Sequence, residues 1–143
     1  MTVAACPFCA IAAGRLGASV VAQTDRVMAF LDLRQATEGH VLVIPRQHVE
    51  TIFELDPELG GEVMQLGVRV AQALRAALHP AGLNLWQSNG AAGGQEVPHF
   101  HLHVQPRRVG DGLLRVYPGG PPAPASTELL DDLAGRIRAC LPP

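Results

Sequence analysis

The chain has no apolar run approaching the ~20 residues that span a bilayer. Its opening residues, Met1-Thr2-Val3-Ala4-Ala5-Cys6, lack a basic segment followed by an apolar one. Both absences argue against a membrane span and a secretory leader, and for a cytoplasmic protein. Net positive charge is missing as well: 11 Lys and Arg against 13 Asp and Glu leave a formal charge of -2. Without a broad basic field the chain is not built to wrap long nucleic acid, although a single mononucleotide needs only a few local donors. Three cysteines are an odd number and argue against a disulfide framework. There are no internal repeats. What is there is a 143-residue chain, 48% hydrophobic and 17% charged, which fits one domain over residues 1–143 with a single core.

Local patterning then places the elements. Pro7–Ala13 predicts a short helix with proline at its first position and Gly14 as its stop. Ser19–Thr24 and Val27–Leu31 read as a hairpin turning at Asp25-Arg26, and His40–Pro45 as a further strand ended by its proline. Asp56, Pro57 and Glu58 mark a helix start, and Val63, Leu66, Val70, Leu74 and Leu78 make one apolar stripe, carrying the helix to about His79. Leu83–Ser88 reads as a strand, Asn89–Gly94 as a flexible loop and Val97–Arg107 as the last strand of a core over about 6–107. Residues 108–125 are a Gly/Pro-rich arm, mobile from Gly110 to Ala125. Ser126 caps a final helix over 126–141 with Leu130, Leu133 and Ile137 facing inward. A strand meander with one long helix inserted gives an α+β fold on a five-stranded antiparallel sheet.

Three of the six histidines fall at alternate positions in Pro98-His99-Phe100-His101-Leu102-His103-Val104-Gln105. In a strand, alternate side chains share a face, so His99, His101 and His103 line one side while Phe100, Leu102 and Val104 line the other. Imidazole titrates near neutral pH and offers a nitrogen that attacks, accepts a proton or binds metal. A lone strand histidine is an ordinary surface or core residue, but three in strict alternation are not. An affinity tag is excluded, because tags are contiguous and terminal.

Cys6-Pro7-Phe8-Cys9 is a C-x-x-C at a helix start. A thioredoxin-like redox motif follows a strand in a βαβ unit, and only five residues precede this one, so metal binding leads. Zinc takes four N or S ligands in a tetrahedron. His48 and His99 are the preferred candidates for the other two, with an exposed loop residue as the alternative for His48. His79 reads as a helix C-terminal histidine and Cys140 as a small apolar residue. Upstream of the histidines, Asn89, Gly93-Gly94 and Gln95 bring amide side chains and a backbone that can approach a ligand closely, both suited to phosphate oxygens. Imidazoles beside such a pocket suit nucleophilic attack at phosphorus.

His99-Phe100-His101-Leu102-His103-Val104-Gln105 resembles the H-x-H-x-H signature of the histidine triad (HIT) family of nucleotide-binding proteins. Phe30-Leu31-Asp32, Gly39-His40-Val41-Leu42-Val43-Ile44-Pro45, the segment Gly82 to Gly90 and Gly94-Gln95 fall in the family's order and spacing. The resemblance covers about Cys6 to Arg107. It implies a HIT-like two-layer fold, a homodimer joined through the sheet edge, and cleavage at the α-phosphorus of a purine nucleotide. His101 would be the nucleophile, forming a covalent nucleotidyl-histidine, with the His99 carbonyl holding its Nδ1 proton. His103 and His40 would stabilise charge on the phosphate, Asp32 would bind the ribose hydroxyls, and Asn89 and Gln95 the phosphate or leaving group. The base would lie against Phe8, Ile11 and Phe30. Cys6, Cys9 and His48 look like the zinc-binding bacterial subset, in which His99 completes the metal site.

Two features depart from the phosphoramidase branch. Glu96 stands where Ser or Thr is common, and a carboxylate 4 Å from a phosphate is repelled by ~1 kcal/mol even in bulk water. Either Glu96 turns away or the leaving group is cationic. Pro106-Arg107 sits closer to the dinucleoside polyphosphate hydrolase form. Three classes follow: a hydrolase of nucleoside phosphoramidates or dinucleoside polyphosphates, a nucleotide-binding regulator with vestigial catalysis, and a hydrolase whose histidine row itself holds a catalytic metal.

Overall fold

Val20–Gln23 (β1) and Val27–Leu31 (β2) form the expected hairpin, closed by Thr24 N–H donating to Val27 O at 2.8 Å. The structure is a computed structural model describing residues 5–113 and 116–142. The first four residues, read above for a leader, and residues 114 and 115 of the arm lie outside the described residues. β2 pairs with Val41–Pro45 (β3); Gly82–Trp86 (β4) and Leu102–Arg107 (β5) complete one antiparallel sheet in the order β1-β2-β3-β5-β4. All five residues of β3 are buried, because this central strand is covered on both faces.

One face carries the long helix Pro57–Leu78 (α2). Asp56 caps it, accepting from Leu59 N–H at 3.0 Å, and His79 ends it in the left-handed conformation at φ 47°. The predicted stripe is the buried one: Val63, Leu66, Val70 and Leu74 pack on Val27, Ala29, Val41, Val43, Phe100, Leu102 and Val104. The other face is covered by the short helix Pro7–Ala12 (α1), whose Phe8, Cys9 and Ala12 meet Met28, Phe30, Leu42 and Ile44. Each large apolar side chain buried this way contributes about 1.5–3 kcal/mol. α1 therefore presses the C-x-x-C against the face that the histidines share.

The structure corrects the expected reach of the last strand. Its ladder begins at Leu102, so of the three histidines only His103 is a strand residue. Pro98 has no N–H to give a ladder, His99 N–H turns back to Val97 O at 2.8 Å, and Phe100 N–H goes to Val49 O at 2.6 Å. The alternation of faces survives: Phe100, Leu102 and Val104 all lie in the α2 core.

Residues up to Asp111 form one compact unit and residues from Gly112 a second. The second contains Thr127–Ala139 (α3), capped by Ser126, which accepts from Leu129 N–H at 3.3 Å. Leu130, Leu133 and Ile137 do not face inward as expected; all are exposed, and α3 buries none of its residues. No helix among the described residues is long and apolar enough to cross a membrane.

Candidate functional site

The turn before β5 divides the three histidines between two neighbouring sites. His99, fully buried, points to the C-x-x-C. Its Nδ1 lies 3.4 Å from Cys6 Sγ, 3.5 Å from Cys9 Sγ and 3.3 Å from His48 Nδ1, and His48 Nδ1 lies 3.2 Å from Cys9 Sγ. On a tetrahedral ion, two nitrogens at the usual bond length are about 3.3–3.4 Å apart, and a nitrogen and a sulfur about 3.6 Å. The nitrogen pair at 3.3 Å matches its edge, and the nitrogen–sulfur separations of 3.2–3.5 Å fall 0.1–0.4 Å inside theirs. The second shell agrees: His99 Nε2–H donates to Pro45 O at 2.9 Å, which fixes the tautomer that turns the Nδ1 lone pair inward. His48 Nε2 lies 3.8 Å from Glu50 Oε1.

Protonation fits a site made for metal. Burial pushes His99 down to about 4, so the ring is neutral and free to ligate. Burial, together with Cys6, pushes the Cys9 thiol up to about 11, so a bound cation must displace its proton. Cys6, Cys9, His48 and His99 can thus hold a metal ion through a 2N2S set. His48, the candidate preferred over a loop role, lies beside Cys9 and His99.

His101 faces away from that cluster. Its Nδ1–H donates to the carbonyl of His99 at 2.6 Å, so Nε2 carries the lone pair and no hydrogen. Phe8 packs edge-on against the ring with centroids 5.2 Å apart, and the residue is buried. Burial lowers its pKa, against the opposing pull of the His99 carbonyl and Asp32, and leaves a neutral imidazole at pH 7. This ring belongs to no metal cluster found among the described residues.

Beside it stands a second imidazole pair. His40 Nε2 and His103 Nδ1 are 2.9 Å apart, and the His101 and His103 rings meet at 4.7 Å. Asp32, His40 and His103 also form a group able to hold a cation, but a 2.9 Å separation is a hydrogen bond and falls short of the about 3.3 Å between two nitrogens on one ion. His40 Nδ1 faces two acceptors, Arg34 O at 3.4 Å and Asp32 Oδ2 at 3.6 Å, so it carries the hydrogen. His40 Nε2 then accepts from His103 Nδ1–H. Burial pushes His103 down to about 3 and also lowers His40.

Two residues that sequence reasoning missed hold this pair. Gln35 accepts from Gly39 N–H at 2.8 Å and His40 N–H at 3.1 Å, and donates to Asp32 O at 2.7 Å and His40 O at 2.9 Å. One side chain thereby ties Asp32 to His40. Trp86 lies opposite His103 in the β4–β5 register, and their rings stack at 4.0 Å with a 5° interplanar angle. No motif marks Gln35; Trp86 is the only tryptophan, but its position emerges only from the strand register.

The loop amides expected to meet phosphate also bond to neighbouring protein groups. Asn89 Oδ1 accepts from Ile52 N–H at 2.7 Å, and its amide pairs with Gln87. Gln95 accepts from Gly90 N–H at 2.7 Å and donates to Glu50 O at 2.7 Å. Both brace the loop and join it to the segment after His48. Glu96 turns to Arg34, Oε2 to Nη1 at 3.1 Å, an exposed pair. Phe8 and Phe30 are buried edge to face at 5.5 Å, and Ile11 packs beside them.

Residues 14–110 match the model of the HIT domain. A solved structure of a HIT family member from Bacillus subtilis is similar at 33% identity and TM-score 0.87, over 97% of this chain and 99% of that one. A zinc-bound histidine triad family protein from Mycobacterium smegmatis is similar at 35% identity and TM-score 0.74, over 96% and 99%. An adenosine 5'-monophosphoramidase of Schizosaccharomyces pombe is 33% identical over 132 residues, 92% of this chain and 95% of that one. The fold, the signature and these relatives agree: the chain belongs to the HIT domain family.

Proposed function

We propose that the protein is a nucleotide hydrolase that cleaves at the α-phosphorus of nucleoside phosphoramidates or dinucleoside polyphosphates and releases a mononucleotide such as AMP. The observation that carries this reading is the 2.6 Å bond from His101 Nδ1 to His99 O, which frees Nε2 as a neutral nucleophile. In the first step Nε2 bonds to phosphorus while the bond to the leaving group breaks. In the second, water takes the leaving-group position, and the nucleotidyl-histidine bond breaks to regenerate the ring. His103 and His40 would contact the phosphate and help stabilise its developing charge. Asp32 keeps one carboxylate oxygen on Arg34 N–H at 2.8 Å and offers the ribose hydroxyls the other. Phe8, Ile11 and Phe30 give the purine base an apolar wall, and Asn89 and Gln95 would meet the phosphate or the leaving group. With Glu96 held by Arg34, an anionic leaving group meets less repulsion than the bare sequence suggests.

Zinc is the metal we assign to Cys6, Cys9, His48 and His99. Four protein ligands close the site, so the ion is structural: it fixes His99, and the His99 carbonyl fixes His101. Reduced thiolates of this kind suit the cytoplasm. A homodimer joined through β4 is supported by its place at an open sheet edge with Leu85 exposed. The function is tested by His101→Asn, which should abolish turnover of adenosine phosphoramidate while AMP still binds. Normal turnover by that variant would remove the proposed nucleophile. Regulation by occupancy becomes the better reading only if the wild type binds AMP tightly and turns over neither substrate class.

A further inference from the structure

We propose that Trp86 is a positioning residue whose indole face lets the His40–His103 pair take up one proton when a phosphate monoester binds. The inference rests on the nucleotide reading above and extends it to how the site meets charge.

The first element is the hydrogen inventory. His40 Nδ1 faces only acceptors and must carry hydrogen, so its Nε2 accepts from His103 Nδ1–H across 2.9 Å. The ring of His103 then ends in a bare lone pair at Nε2, adjoining His101 with centroids 4.7 Å apart. A lone pair cannot bond a phosphate oxygen, which is itself only an acceptor. For His103 to hold a phosphate, Nε2 must gain a proton, and the pair must carry one positive charge. In the free protein that charge is opposed by burial and by the neighbouring His101 and His40. Asp32, 3.6 Å from His40, is the carboxylate behind the pair.

The second element is independent of hydrogens. Trp86 and His103 stack with parallel rings, centroids 4.0 Å apart at 5°, and His40 lies near the same indole at 5.3 Å and 27°. A cationic ring prefers the face, where the indole quadrupole is negative. The register explains the placement: Trp86 and His103 are direct cross-strand neighbours and so share a face of the sheet. Leu42 flanks His103 on its other side, from β3, and brings no charge. Trp86 is thus the β4 group that favours the protonated pair.

Calorimetric titration with AMP at pH 7.5, in two buffers of different ionisation enthalpy, reads the proton directly. The wild type should take up close to one proton per site. Trp86 fluorescence, unambiguous because the chain has one tryptophan, should be quenched as the cation forms at its face. Trp86→Phe keeps a ring and should keep most of the uptake; Trp86→Leu should bind AMP about tenfold more weakly with a reduced uptake. AMP binding with no proton uptake in the wild type overturns the proposal, and no variant is needed for that result. Uptake and affinity unchanged in Trp86→Leu would overturn the role of the indole. Failure of AMP to bind at all would instead remove the nucleotide reading, and this proposal with it.

Discussion

Replacing Gly39 by alanine tests how the fold positions His40. Gly39 holds φ +94°, a region that costs an L-residue about 1–2 kcal/mol. An added Cβ would lie 2.5 Å from Leu78 Cδ1, 3.0 Å from Leu74 Cδ2 and 3.2 Å from Pro106 Cγ. Leu74 is a core residue of α2 and Pro106 a buried residue of β5, so neither yields freely. Overpacking of this kind costs about 1–3 kcal/mol, and the stiffer unfolded chain offsets about 0.4–1 kcal/mol of the combined loss. The net expectation is a loss of about 3 kcal/mol. Urea unfolding of wild type and Gly39→Ala, both at saturating zinc so that metal loss does not blur the transition, measures it. Because Gly39 N–H is held by Gln35 beside His40, turnover should fall even where the variant is fully folded. A loss below 1 kcal/mol with unchanged turnover would refute the tight packing of this corner and its link to His40.

Chelation should lower the melting temperature and loosen the C-x-x-C segment, and Cys9→Ala should make the protein insensitive to added zinc; an unchanged melting curve with a strong chelator would deny the cluster a structural ion. Stability should also depend on His103 in a defined window. Its pKa is near 6.5 in the unfolded chain and pushed down to about 3 in the fold, so below 6.5 the unfolded state binds the proton first. The fold then loses up to about 1.4 kcal/mol per pH unit as pH falls from 6.5 toward 3, and loses nothing from this group above 6.5. Urea midpoints of His103→Asn against wild type should therefore converge as pH falls; parallel curves would contradict the burial of a neutral ring.

Much of this molecule was legible because period and punctuation carried it. Asp56-Pro57 and the stripe Val63, Leu66, Val70 and Leu74 placed α2 and its buried face, and the Thr24–Val27 turn placed the first hairpin. The 2N2S cluster could be named as candidates because C-x-x-C restricts its partners to few residues. What escaped depended on tertiary contacts. Strict alternation suggested strand from Val97, but a ladder needs partners, and Pro98 and Val49 send those backbone groups elsewhere. The stripe on α3 has helical spacing whether or not a core meets it, so Leu130, Leu133 and Ile137 gave the helix correctly and its burial wrongly. Trp86 and Gln35 act through register and through loop closure, neither of which a single sequence displays.

The most direct measurement is intact-protein and peptide mass spectrometry of the enzyme acid- or base-quenched during turnover of an adenosine phosphoramidate. The account predicts an adenylyl adduct on His101, stable to base and lost in acid, and none on His40, His99 or His103. An adduct on another residue, or single-turnover hydrolysis that proceeds with no adduct in either quench, would contradict it.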